Sequence, residues 1–98
     1  MKVRYSRRAA HDLESIRGYL SERSVRGSAN VLAAIYLSIE FIRRNPQASQ
    51  KTTIVGVRAK TVRKYRFKVF YRIAVSDDTI EIVHVRHTSR HPWSGEDD

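Results

Sequence analysis

The sequence predicts an α+β domain, in which a helical hairpin packs on one face of a mainly antiparallel, twisted sheet in the order β-α-α-β-β-β. Three observations predict this fold. A short alternating segment opens the chain, and two apolar stripes at three- and four-residue spacing follow it. Runs of β-branched and aromatic residues, separated by polar turns, then occupy the second half. The 98 residues are expected to form a single domain, residues 1–98.

The opening segment, Lys2 to Tyr5, alternates basic and apolar side chains as a short strand does. It cannot pair through a tight hairpin, because helices come next. It is therefore expected to join the sheet at an edge or beside the last strand.

Two helices follow this strand. Ser6 is a candidate N-cap for a first helix from about Arg7 to Arg23. Ser28 is the candidate cap of a second helix, which should end just before Pro46 because proline disfavours helical geometry in the residue that precedes it. The short turn over 24–27 requires an antiparallel helical hairpin.

Three strands are predicted in the second half. The run from Thr52 to Val57 is β-branched, and Gly56 within it indicates a bulge or a close backbone approach. Tyr65 to Val75 is the strongest strand, and Ser76-Asp77-Asp78 is the turn that leads to its partner, Thr79 to His87.

The strongest strand separates into two unlike faces, because side chains alternate along a strand. One face is apolar and is expected to pack on the helices, with Tyr65, Phe67, Val69, Tyr71, Ile73 and Val75. The other is expected to be an open, concave and cationic surface, with Arg66, Lys68 and Arg72 beside Phe70 and Ala74. This open face is the candidate site.

The charge of the chain is strongly basic. The net charge is +9, and fourteen of the nineteen basic residues are arginine, which binds phosphate or carboxylate in a bidentate manner. Eight basic residues and no acidic ones lie between Lys51 and Arg72, whereas Glu96-Asp97-Asp98 are all acidic. This polarity indicates a nucleic acid or an acidic protein as partner. Residues 94–98 are expected to form a flexible acidic tail.

Other classes of protein are disfavoured. No cysteine is present, which excludes disulfides and thiolate metal sites and fits a reducing compartment. The sequence shows no signal-peptide segment and no apolar run long enough to predict a membrane span, so a cytoplasmic location is the expectation. No metal or cofactor is expected, because the histidines lack a third ligand at suitable spacing. His84 is interpreted as a core residue, and His87 and His91 as better site candidates.

The chain resembles the RelE/ParE superfamily of toxins from bacterial type II toxin–antitoxin systems over nearly its whole length. The residues that carry the resemblance are Tyr5-Ser6-Arg7-Arg8-Ala9, Asp12-Leu13, Ile42-Arg43-Arg44-Asn45-Pro46, Phe70-Tyr71-Arg72 and His84-Val85-Arg86-His87-Thr88-Ser89-Arg90-His91-Pro92. The resemblance implies the β-α-α-β-β-β fold that the periodicity also predicts.

Members of this superfamily divide by target. RelE-like toxins cut messenger RNA on the ribosome with basic residues of the concave face and a tyrosine or histidine near the C-terminus, whereas ParE-like toxins poison DNA gyrase. The nuclease pattern would place Lys68 on the basic strand and Arg86 or His87 on the last strand. No tyrosine follows Tyr71, so the nuclease set is incomplete and the ParE-like branch is favoured.

The resemblance thus implies a non-enzymatic toxin that inhibits growth through gyrase. A cognate acidic antitoxin would neutralise it by direct binding in a hetero-oligomer. The predicted target contacts are Arg58, Arg63, Arg66, Lys68, Arg86, Arg90 and Trp93. The alternative is a metal-free, ribosome-dependent endoribonuclease, in which Lys68, Arg66 and Arg86 stabilise the phosphate and His87 transfers a proton. A stand-alone nucleic-acid-binding module and a degenerate, non-toxic family member are further readings.

Overall fold

The computed structural model describes residues 1–89, Trp93 and Gly95. Its two helices and five strands are β1 (Lys2–Tyr5), α1 (Arg7–Ser21), α2 (Val25–Arg44), β2 (Gln50–Lys51), β3 (Val57–Val62), β4 (Phe67–Ala74) and β5 (Thr79–His87). The strands form one sheet in the order β1-β5-β4-β3-β2. β1 runs parallel to β5 at the edge, and the other neighbours are antiparallel. The predicted fold is confirmed, with the two-residue β2 as an additional edge strand.

The helices begin at serine caps. The Ser6 side chain accepts a hydrogen bond from the Ala9 N–H at 3.0 Å, which confirms the first predicted cap. The second prediction was wrong, because Ser24 caps α2 by accepting from the Gly27 N–H at 3.0 Å. Ser28 is instead buried inside the helix and donates to the Arg17 carbonyl. The segment predicted as a turn is therefore the first turn of α2.

The main core lies between the helical hairpin and one face of the sheet, called here the helix face. α2 contributes Val31, Ile35, Ile39 and Ile42, and α1 contributes Ala9 and Leu13. By length and composition α2 could cross a membrane, but this is weak evidence because core helices meet the same criterion. Tyr71 is fully buried in this core, and its hydroxyl donates to the Pro46 carbonyl at 2.6 Å.

A β-bulge in β5 changes which side chains reach the other face, called here the outer face. Phe70 pairs with His84 but Tyr71 pairs with Ile82, so that Val83 is an extra residue. A bulge of this kind turns two successive side chains to the same side, and both Val83 and His84 lie with Phe70. The Ser6 hydroxyl donates to the Val83 carbonyl at 3.0 Å, which ties the start of α1 to the bulge.

The outer face is less open than predicted. Val57, Phe70 and Val83 are buried there in a second small core, and Ile54, Ala59 and Trp93 pack against it. The prediction of an open outer face was wrong at its centre, where Val57 and Phe70 pack with Val83, which the bulge turns to this side. Charged side chains remain exposed around this second core.

Two tight turns shorten the strand predicted over 65–75. Short 3-10 turns occupy Arg63–Tyr65 and Val75–Asp77. Each turn is followed by a left-handed residue, Arg66 with φ 58° and Asp78 with φ 49°. Gly56 also has a positive φ, 78°, but it lies in a turn before β3, so the alternative of a strand bulge at this glycine was wrong. Apart from Gly95, the predicted acidic tail over 94–98 lies outside the described residues.

Candidate functional site

Lys68 and Arg86 are brought together by the pairing of β4 and β5. The register places them directly opposite each other, with Thr61 of β3 on the far side of Lys68. Directly opposed side chains on neighbouring strands lie about 4.5–5.5 Å apart at Cβ and share a face. Two adjacent cations of this kind repel one another unless an anion lies between them, so this pair favours binding of an acidic or phosphate-bearing group.

More cations lie at the same end of the sheet, where β3 ends, β4 begins and β5 ends. Arg63 and Lys64 lie in the exposed 3-10 turn. Arg66 follows in the left-handed conformation, and its carbonyl accepts from the Thr88 N–H at 2.8 Å. These three residues, with Lys68 and Arg86, are called here the cationic end of the sheet. No acidic residue lies in the segments 57–72 and 82–89 that form it.

Arg58 is separated from this group. It pairs with Tyr71 across the strands and so shares the helix face. Its Nη1 donates to the carbonyls of Ser49 at 2.8 Å and Gln47 at 3.2 Å. Together with the Tyr71 hydroxyl, it fixes the segment that follows α2. The structure therefore gives Arg58 a structural role away from the predicted contacts.

Trp93 lies on the outer face beside the bulge. Its ring meets Phe70 at 5.0 Å and His84 at 4.8 Å, both edge-on. Phe70 lies two residues after Lys68 on β4, and His84 lies two residues before Arg86 on β5. Trp93, which packs on both rings, therefore borders the cationic end of the sheet. This packing fastens the chain near its end onto the domain. Arg90 and His91 lie outside the described residues.

His84 belongs to a buried polar cluster that links β5 to α1. Its side chain is 3% exposed, and Nδ1 lies 2.6 Å from the Asp12 carboxylate. The same Asp12 oxygen accepts from the Val85 N–H at 2.9 Å, and Arg8 approaches both Asp12 at 3.4 Å and His84 Nε2 at 3.5 Å. Because a carboxylate only accepts and a guanidinium only donates, this geometry requires the proton on Nδ1.

Sequence analysis did not identify Asp12 and Arg8 as partners of His84. Their four-residue spacing on α1 was the available signal, since it places both side chains on one face of the helix. β1 covers β5 only as far as Ile82. Beyond that residue, Asp12 takes the place of a neighbouring strand at the Val85 N–H. The cluster thus closes an exposed sheet edge.

His87 does not join Lys68 and Arg86. It pairs with Phe67, which packs on the main core, and the two rings meet edge-on at 5.2 Å. Its Nδ1 lies 2.6 Å from the Ser89 hydroxyl. His87 therefore lies on the helix face, whereas the two cations lie on the outer face. Among residues 1–89, Trp93 and Gly95, no group of three ligating side chains could hold a metal ion.

A shallow groove separates the two helices on the outside of the hairpin and is called here the hairpin groove. It has a volume of about 330 Å³, and its lining includes Tyr5, Leu13, Arg17, Leu32 and Tyr36. Burial and, to a smaller degree, the neighbouring Tyr36 raise the pKa of Tyr5 above that of a free phenol. Tyr36, Leu37 and Phe41 of α2 also remain exposed, at 47%, 71% and 41%.

Comparisons with known families and solved structures show what this chain is similar to. The model of the ParE toxin of the type II toxin–antitoxin system parDE matches residues 3–92. No curated protein shows significant similarity. The chromosomal ParDE system of P. aeruginosa has a chain with a TM-score of 0.77 and 21% identity, and the match covers 91% of this chain and 97% of that one.

Two further solved structures share the fold. The YoeB/ParE toxin of Agrobacterium tumefaciens has a TM-score of 0.65 and 19% identity, with 89% of this chain and 98% of that chain covered. The isolated RelE toxin of E. coli is more distant, with a TM-score of 0.59, 10% identity and coverage of 92% and 86%. Since the family model spans almost the entire sequence, the chain belongs to the ParE toxin family of type II toxin–antitoxin systems.

Proposed function

We propose that this ParE-family toxin acts in the cytoplasm, where it arrests growth by poisoning DNA gyrase without catalysis of its own. The observation that carries the proposal is the separation of His87 from Lys68 and Arg86 across the sheet. Metal-free cleavage of RNA requires a proton carrier within hydrogen-bond reach of the phosphate that the cations hold. Lys68 and Arg86 are well placed to bind an anionic surface, but His87 is not placed to share a phosphate with them.

The other histidine of β5 gives no better catalyst. His84 is buried, and its Nδ1 is bound to Asp12 while Arg8 approaches Nε2. A general acid or base must exchange its proton with the substrate, which these contacts prevent. The cationic end of the sheet is therefore proposed as a binding surface for the gyrase–DNA complex, in which arginine and lysine supply electrostatic attraction.

The test is a supercoiling and cleavage assay with purified gyrase, ATP and plasmid. Protein-linked cleaved DNA should rise with the dose of the toxin. The double variant Lys68→Gln/Arg86→Gln should need roughly a tenfold higher dose, since two contacts of about 0.7 kcal/mol each amount to that factor. Arg26→Gln, an exposed arginine on α2, is the matched control and should change the dose by less than about twofold.

The result that would overturn this proposal is a chain that stops growth in cells but leaves gyrase unaffected at every dose. One observation favours the endoribonuclease in that event, because the directly opposed Lys68 and Arg86 suit a phosphate group. His87→Ala then tests whether the toxicity depends on this imidazole. It should abolish toxicity in a nuclease that uses this imidazole, and leave toxicity intact in a gyrase poison.

Neutralisation is proposed to occur through an acidic antitoxin that forms a hetero-oligomer with the toxin. The hairpin groove and the exposed Tyr36, Leu37 and Phe41 offer an apolar surface for an amphipathic helix. The net charge of +9 would accelerate its association with an acidic chain.

Leu37→Glu tests this surface, because it places a charge in the proposed interface without disturbing the core. It should weaken binding of the cognate antitoxin by about tenfold or more, as expected for an apolar interface residue. Val75→Glu is the control, since Val75 is equally exposed, at 78%, but lies in the turn between β4 and β5. Equal binding by both variants would exclude the hairpin as the antitoxin site.

A further inference from the structure

A second cleft lies on the outer side of the sheet, at the start of α1. Its volume is about 620 Å³, within the range of ligand sites in proteins. It is called here the α1 cleft, and its lining includes Arg7, Arg8, His11, Arg72, Glu81 and Trp93. Neither the cationic end of the sheet nor the hairpin groove includes these residues. The cleft therefore has a lining of its own, although its Trp93 also borders the cationic end of the sheet.

The cations of the α1 cleft come from two walls. Arg7 lies on the first turn of α1, where the helix dipole adds positive potential, and Arg72 lies on β4. Both side chains are exposed. Arg8 lies 3.4 Å from the Asp12 carboxylate, which offsets its charge, so Arg8 adds less net positive charge to the cleft. Arg72 also lies directly opposite Glu81 across the strands, but Glu81 is shared with a second arginine, so Arg7 and Arg72 keep the cleft net positive.

Glu81 restricts the kind of anion that fits. It lines the cleft and forms an ion pair with Arg4 at 3.6 Å. A carboxylate at this position repels a continuous polyphosphate, whereas carboxylates spaced along a peptide can reach the two arginines and avoid it. The cationic end of the sheet, whose segments hold no acidic residue, is a better surface for nucleic acid than this cleft.

We propose that the α1 cleft binds the carboxylate side chains of an acidic peptide segment of a partner protein, with Arg7 and Arg72 as the principal contacts. The inference rests on the proposed pairing with an acidic partner. It adds a binding site that the hairpin groove does not supply. When one partner binds both surfaces, its first contact raises the effective concentration of its second segment near the other surface, so the overall affinity increases.

The chain carries its own reporter for this site. Trp93 is the single tryptophan and lines the cleft, so its fluorescence should change when a ligand binds there. The probe is a short Glu-rich synthetic peptide, and the same peptide with Gln in place of Glu is the control. We expect saturable binding of the first peptide, lost with the second and weakened by salt.

Variants distinguish this cleft from general attraction to a basic protein. Arg7→Gln and Arg72→Gln should each weaken binding by about fivefold, which corresponds to an ion pair of about 1 kcal/mol. Arg26→Gln makes the same change of net charge outside the cleft and should have little effect. Glu81→Gln should strengthen binding about two- to fivefold, because it removes a like charge. Circular dichroism checks that each variant is folded.

Each outcome supports or overturns the inference. Equal weakening by Arg26→Gln and Arg72→Gln would show non-specific attraction and overturn it. Binding of ATP or inorganic phosphate in place of the Glu peptide would identify a phosphate site and also overturn it. A chain that ends at Gly95 tests whether Glu96-Asp97-Asp98 compete, and tighter peptide binding by that chain would support the same carboxylate chemistry. Because the probe is synthetic, this assay can fail while toxicity and antitoxin binding persist.

Discussion

Replacing Asp12 with alanine should destabilise the fold more than removing an exposed charge from α1, because the Asp12 side chain is only 13% exposed. A single oxygen of this carboxylate accepts from both the Val85 N–H and the His84 ring. Val85 and His84 are 2% exposed, so neither donor can turn to bulk water. Asp12→Ala leaves both buried donors without their acceptor and removes an ion-pair partner of Arg8.

The expected magnitude follows from these contacts. A buried donor left unsatisfied costs about 1–3 kcal/mol, so two cost about 2–6 kcal/mol. Alanine has a higher helix propensity than aspartate, which offsets about 0.5 kcal/mol of this loss in the free energy of unfolding. We therefore expect a loss of about 3 kcal/mol, which lowers Tm by roughly 12–24 °C in a domain of this size. Asp12→Asn should cost less, about 1 kcal/mol, because its amide oxygen can still accept from both donors.

Urea and thermal unfolding followed by circular dichroism measure this difference. Glu14→Ala is the control, because Glu14 lies on the same helix and pairs with Arg17 on the exposed surface. It should change the free energy of unfolding by less than about 0.5 kcal/mol. A loss in Asp12→Ala no larger than in Glu14→Ala would contradict this expectation, since it would mean that the two donors find other acceptors.

Three further predictions concern local features. Arg66→Gly should raise the free energy of unfolding by about 0.5–1 kcal/mol in urea titrations, because glycine adopts the φ of 58° without strain, and a decrease would contradict this. Tyr71→Phe should lower it by about 1 kcal/mol, since it removes the hydrogen bond to the Pro46 carbonyl, and an unchanged urea midpoint would disprove that role. Hydrogen bonds from Arg43 lower the pKa of Glu40 to about 2. The ionised Glu40 side chain therefore stabilises the fold at pH values above its unfolded pKa, and this stabilisation is lost as pH falls through about 2. The free energy of unfolding of Glu40→Gln should be lower than that of the parent at pH 7 and equal to it below about pH 2.

Local sequence was sufficient for both helices, for β1, β4 and β5, and for the order of the elements, but the strand predicted over Thr52 to Val57 was wrong, because β3 lies over Val57–Val62. The apolar stripes of α1 and α2 repeat at helical spacing, and Pro46 marks where α2 must end. The N-cap of α2 was missed because Ser24 and Ser28 are both acceptable caps. Packing decided between them, since Ser28 faces α1 and is buried.

Strict alternation was sufficient to place Lys68 on the outer face, but not Arg86, which would share the helix face with Ile80 and Ile82. The extra residue Val83 in β5 turns Arg86 to the outer face, directly opposite Lys68. Arg58 was assigned to the target contacts from its charge alone. Its position opposite Tyr71 shows that its side chain shares the helix face and binds the segment after α2.

The period of each element, the excess of arginine and the likeness to a toxin family can all be recognised in the amino-acid sequence. Which side chains contact one another depends on the tertiary fold. The Asp12–His84 contact joins residues 72 apart in sequence, and the extra Val83 turns His84 towards the outer face while Val85 stays in the main core. Periodicity reports how side chains alternate within one segment. The register between segments depends on the sum of many weak packing contacts, and a one-residue bulge is enough to reverse which face a side chain joins.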